Sequence, residues 1–215
     1  MTHTKAFSTI SAKELYALID AEYSSRNEIF GIPQALFFKP AEYEGLKMEI
    51  FGQQLETPIG VAAGPHTQMA QNIISAWLCG ARYIELKTIQ TLDELEISKP
   101  CIDMQDEGYN CEWSQELRIE ESFNEYLKAW VIIHLLQHKL GLNHQQGRGF
   151  IFNMSIGYNF EGIQKANVQW FLKSMADCTK AKQEMVDELM PLYPELANIA
   201  IPDRISDNIT LSTMH

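Results

Sequence analysis

The sequence predicts an α/β fold with a parallel sheet, read as the N-terminal part of a TIM (β/α)8 barrel truncated at about its fourth strand. Three observations carry this. Apolar strand-like runs alternate with amphipathic stretches at helical spacing, the pattern of parallel strands joined by right-handed crossovers. Each apolar run ends in residues suited to chemistry: Ala-Ala-Gly, Lys-Thr, Asn-Met-Ser and Ser-Thr-Met-His. In a barrel of this kind the active site lies at those C-terminal strand ends. Finally, the chain has 215 residues and about four such strands, whereas a whole barrel takes about 250 residues. Residues 1–56 read as a helix and hairpin leading in, and 57–215 as the first half of the barrel.

Ser11 and Glu14 form a capping-box pattern, and Leu15, Leu18 and Ile19 recur at helical spacing until Gly31 and Pro33. Met48 and Ile50 alternate with polar neighbours before Gly52, the mark of a short hairpin. A strand is expected over Ile59–Ala62. The helix from Thr67 carries Met69, Ile73, Ile74, Trp77 and Leu78 on one face, with Gly80 as its C-cap. "RYIELKT" reads as the second strand. Residues 89–117 are irregular and acidic, and a connection of that length inside a compact domain is functional or disordered. The part from Asp93 to Glu116 is expected to fold over the strand ends. Ser122 to Leu140 is amphipathic and closed by Gly141. "GFIFNMS" is the third strand, a helix spans about Gly162–Asp177, "AKQEMVDELM" continues helical, and "NITLSTMH" is the fourth strand.

Net charge −11, with Lys and Arg scattered, argues against a nucleic-acid surface. No apolar run nears the ~20 residues of a membrane span, and the N-terminus lacks the pattern of a signal peptide. A cytoplasmic location is expected. None of the four cysteines forms a C-x-x-C pair, so no metal site is expected. His134 and His138 stand one helical turn apart but lack the glutamate of H-E-x-x-H, and they read as surface histidines.

Four groups remain as candidate site residues. Ala62, Ala63 and Gly64 carry no side chain that would keep a planar group off the backbone, although tight strand–helix packing also favours small residues. Lys87 ends an apolar strand, where burying a lysine is costly without a partner. It could stabilise developing negative charge, pair with Glu85 or another carboxylate, or form a Schiff base as in an aldolase-like barrel. Thr88 and Gln90 could donate to the same ligand. Asn153, Ser155 and Asn159 offer amide and hydroxyl groups at the third strand end, with a turn as the plain alternative for Asn159. His66, in the first strand–helix loop, could face substrate or cap the helix.

In order along the chain, "TPIGVAAG", "GARYIELKT" and "FNMSIGYNFEGI" resemble the FMN-binding barrel of the dihydroorotate dehydrogenase superfamily. Closer still is the likeness to the YgfK-type family, which carries a selenate reductase label. There "AAGPHTQ", "AQNI", "KPCID", "EYLKAW", "FNMS", "EGI" and "TLSTMH" recur over nearly the whole chain. The label itself is no evidence for the substrate. The resemblance implies an oxidoreductase that passes hydride between FMN and a small molecule. Ala62, Ala63, Gly64, Lys87, Thr88 and Asn153 would hold the flavin; His66, Ser155 and Asn159 would meet substrate; and Lys87 would be catalytic. It also implies later strands, the flavin-phosphate loops, and modules for FAD, NAD(P)H and iron–sulfur clusters outside these 215 residues. The expected partners are the remainder of the barrel or other oxidoreductase subunits, with self-association through an open sheet edge. The competing expectation is an inactive structural or assembly piece that completes a barrel with another chain.

Overall fold

The computed structural model describes residues 9–89, 91, 102–103, 109–110, 117–142, 148–157, 159–206 and 208–212. Helix α1 (Ala12–Arg26) begins with both halves of the capping box: Glu14 N–H donates to Ser11 Oγ at 3.1 Å, and Ser11 N–H to Glu14 Oε2 at 3.2 Å. It ends earlier than the sequence suggested, because Asn27 turns left-handed at φ 54° and its N–H reaches back to Tyr23 O.

Two small hairpins follow, β1–β2 (Glu28–Ile29, Ile32–Pro33) and β3–β4 (Met48–Ile50, Gln53–Leu55). Both turn on a Phe-Gly pair: Phe30 and Gly31 lie at φ 52° and 72°, and Phe51 and Gly52 at 53° and 70°. Two successive left-handed residues are what the two-residue hairpin turn matching strand twist requires.

The central sheet holds four parallel strands in the order β10–β9–β6–β5. These are β5 (Gly60–Val61), β6 (Tyr83–Glu85), β9 (Ile151–Gly157) and β10 (Ile209–Ser212). Spatial order follows chain order, as in a barrel growing one βα unit at a time. Helix α2 (Ala70–Leu78) carries the chain from β5 to β6. A short antiparallel pair, β7–β8 (Ile102–Asp103, Tyr109–Asn110), and the long helix α3 (Ile119–Lys139) lie between β6 and β9. Between β9 and β10 come α4 (Phe160–Ile163), α5 (Ala166–Ala176) and α6 (Thr179–Leu189). The single helix expected over 162–177 is thus two. Lys165 is extended at ψ 149° and separates the turn capped by Asn159 from α5. Of the loop expected over the strand ends, Asp93–Glu116, only 102–103 and 109–110 fall among the described residues; the rest lies outside them, as does Gln90.

The core lies between the sheet and helices α2, α3 and α5. Ile84, Leu86, Phe152, Met154 and Ile156 enter it from the strands, and Trp130 stacks edge-on against Phe150 and Phe152, with ring centres 5.3 and 5.4 Å away. His134 joins the same cluster, its ring centre 4.5 Å from that of Trp130. The surface role expected for it is wrong: it is 6% exposed, because it sits one turn beyond Trp130 on the buried face of α3, whereas His138 is exposed.

Beneath the strands, Arg82 and Glu56 form a buried ion pair, and the Arg82 guanidinium also donates to Trp77 O at 2.6 Å. Gly149 lies against the Glu56 carboxyl, which a Cβ at that position would meet at 2.5 Å. Among the described residues no helix is long and apolar enough to cross a membrane.

Candidate active site at the strand ends

Strand alternation decides which side chains can reach a ligand. Ile84 and Leu86 point into the helix-side core, so Tyr83 and Glu85 of β6 take the opposite face, and Lys87 follows just past the end of that strand. On β9, Phe152, Met154 and Ile156 are in the core, which sends Asn153 and Ser155 to that same opposite face. Register then sets neighbours: Glu85 pairs with Asn153, and Ser155 with Thr210.

Polar contacts knit these strand ends together. Asn153 Nδ2 donates to Thr210 Oγ1 at 2.7 Å. The Thr88 and Ser155 hydroxyls lie 2.9 Å apart. Glu85 Oε2 accepts the Ala63 N–H at 3.3 Å, which ties the end of β5 to that of β6. The Lys87 main chain is held from two sides, donating to Thr67 O at 3.4 Å and accepting from the Tyr126 hydroxyl at 2.9 Å. Its side chain is 8% exposed.

The sequence-derived candidates therefore divide. Thr88, Asn153 and Ser155 come together on one face with Glu85, beside the Ala62–Gly64 turn, and Lys87 is buried immediately before Thr88. At Gly64 the room that the missing side chain leaves is taken by His66, whose imidazole would lie 2.7 Å from a Cβ there. Ala62 and His66 are exposed, and Ala63 is half-buried with its N–H on Glu85. Asn159 takes the plainer role, capping α4 by accepting the Gly162 N–H at 2.9 Å.

Three contributors were missed. Glu85 was read only as a partner for Lys87, yet its hydrogen bond holds the Ala63 turn. Tyr126 and Glu125 are on α3, far along the chain. Glu125 accepts the Ala70 N–H at 2.8 Å at the start of α2, while it pairs with Lys128. Period-two alternation could have put Glu85 on the face opposite Ile84 and Leu86; nothing local to Tyr126 announces its reach to Lys87.

The Tyr83 phenol is held above its usual pKa, first by burial and then by the nearby Glu85 charge. It therefore stays protonated and able to donate. The face thus offers an acceptor carboxylate (Glu85), a carboxamide (Asn153) and two hydroxyls (Thr88, Ser155) beside the small residues Ala62 and Ala63, with Lys87 just past the end of β6. That donor and acceptor set fits the polar edge of a planar heterocycle such as a flavin ring. Among the described residues no group of three His, Cys, Asp or Glu could hold a metal ion.

The family model for the N-terminal TIM-barrel domain of oxidoreductase YgfK matches residues 30–215. Two proteins of Escherichia coli, from strain K12 and from O157:H7, each named "Putative oxidoreductase YgfK", are 42% identical to this chain over 225 aligned positions. The alignment covers 96% of this chain and 22% of each relative, so the chain spans about a fifth of their length.

Proposed function

Since the chain belongs to the YgfK N-terminal TIM-barrel family, we propose that it forms the front half of an FMN-dependent oxidoreductase barrel of the dihydroorotate dehydrogenase type. One observation carries the reading. Three adjacent parallel strand ends bring the Ala62–Gly64 turn and the polar Glu85, Thr88, Ser155 and Asn153 to one face, with the poorly exposed Lys87 just past the end of β6. When bound, the flavin would supply hydride exchange with a small substrate.

This chain's residues do the rest. Lys87 sets a positive charge in a poorly hydrated position, where it stabilises negative charge more than it could in water. Tyr126 and Thr67 fix its backbone from either side. Asn153 spends its N–H on Thr210, which leaves its carbonyl as an acceptor toward the ligand. Ala62 and Ala63 let a flat ring approach the main chain. Residues 1–56 form the lead-in and 57–215 the half-barrel.

Later strands would cover β10, where Ile209 and Leu211 are 45% and 58% exposed. That open edge also favours the second reading, a segment whose role is to complete a barrel with other subunits or, alone, to self-associate. Electrons would reach the flavin from NAD(P)H through FAD and iron–sulfur modules elsewhere in the assembly. Titrating the flavin-free full-length protein with FMN, followed by absorbance and fluorescence, tests the reading. Saturable binding that Lys87→Met weakens is expected; a folded protein that takes up no FMN rules it out.

A further inference from the structure

Glu85 is unusual for a strand in this sheet. Its neighbours Ile84 and Leu86 are fully buried, yet it places a carboxylate on the face that Asn153 occupies. Lys87 follows two residues later, just past the end of β6.

One carboxylate oxygen, Oε2, holds the Ala63 N–H. An ionised carboxylate has about four acceptor positions, and a 3.3 Å bond to one backbone amide fills one of them. The side chain is only partly covered, as is Tyr83 beside it. The acceptor capacity left over opens onto the ligand face, because the helix side is closed by Ile84 and Leu86. A phosphate or carboxylate would be repelled there; a group carrying N–H or O–H would be taken.

We propose that Glu85 is a flavin-binding residue: it clamps the Ala62–Gly64 turn with one oxygen and accepts a hydrogen bond from the flavin with the other. This rests on the flavin reading of the site. The donor would be either the ring imide N–H or a hydroxyl of the ribityl chain. With its charge intact, Glu85 opposes Lys87: it disfavours added electron density on the ring, whereas Lys87 favours it. The two residues then set the flavin's reduction potential between them.

The test is flavin binding and potentiometry on the full-length protein, with wild type, Glu85→Gln and Glu85→Ala. Probes are FMN, N3-methyl-FMN, which lacks the imide N–H, and lumiflavin, which lacks the ribityl hydroxyls. Glu85→Gln should bind FMN about ten-fold more weakly, the size expected for losing a hydrogen bond to a charged group, and its flavin potential should rise. If N3-methylation removes that gap, the donor is the imide; if lumiflavin removes it, the donor is a ribityl hydroxyl; either supports the proposal. Equal FMN affinity and equal potential in wild type and Glu85→Gln overturn it, even if amide exchange at Ala63 quickens, since Glu85 is then a turn clamp alone. Should Glu85→Ala fail to fold, Glu85→Gln decides. Wild type that takes no FMN overturns the flavin reading, and this proposal with it.

Discussion

The Tyr126 hydroxyl donates to the Lys87 carbonyl at 2.9 Å, so the middle of α3 holds the strand end that presents the site's lysine. Tyr126 is fully buried. Tyr126→Phe keeps the ring and leaves the Lys87 carbonyl without that donor. A buried carbonyl stripped of its partner costs about 1–3 kcal/mol. Urea unfolding should show that loss, together with weaker FMN binding. Unchanged stability and unchanged binding would mean that α3 does not support the site.

The Arg82–Glu56 pair locks the opposite end of the strands. Both side chains are buried, at 1% and 6% exposure, and the guanidinium also faces the Phe38 and Trp77 rings. Glu56→Gln strands a cation in the interior and should cost about 3–5 kcal/mol. Replacing both together, Glu56→Leu with Arg82→Met, should recover much of that loss, because the uncompensated charge is gone. Chemical denaturation of the three variants checks this; a single-variant cost below about 1 kcal/mol would contradict the reading.

His134 gives the fold a pH dependence of predictable sign. Burial pushes its pKa down from 6.5 to about 4, against a smaller opposing effect of its bond to Trp130 O. A carbonyl only accepts, so Nδ1 carries the proton in that 2.7 Å bond. The folded state keeps the ring neutral, while the unfolded chain binds a proton below pH 6.5. His134 thus contributes stability that is complete above about 6.5 and lost as pH falls through about 4. The loss is roughly 3 kcal/mol at about 1.4 kcal/mol per pKa unit. Between pH 7 and 4 wild type should lose about that much more than His134→Phe, measured by urea unfolding at each pH. Parallel profiles would contradict it.

Much of the architecture was legible because it rests on local signals. The Ser11–Glu14 box, the alternation in "RYIELKT" and "FIFNMS", and the amphipathic face of α2 each encode one element, and the parallel order follows from their succession. The Phe30-Gly31 and Phe51-Gly52 turns were only half legible. Glycine announced a turn, but a phenylalanine at positive φ has no favourable local energy and is held there by the paired strands on either side. His134 was misread because helical spacing alone does not say how wide the buried face of α3 is: sixteen of its residues are buried. The Tyr126–Lys87 bond spans 39 residues and depends on how α3 lies across the sheet, which no local pattern carries.

In the flavin reading, Lys87 supplies the positive charge beside the ring at the strand ends. Its most direct test is the reduction potential of FMN bound to the full-length protein, wild type against Lys87→Met. Losing one preorganised stabilising group is worth about 2.7–4 kcal/mol. At about 1.4 kcal/mol per 30 mV for a two-electron couple, the potential should fall by roughly 60–90 mV. A Lys87→Met protein that binds FMN at an unchanged potential would mean that Lys87 carries no charge to the flavin.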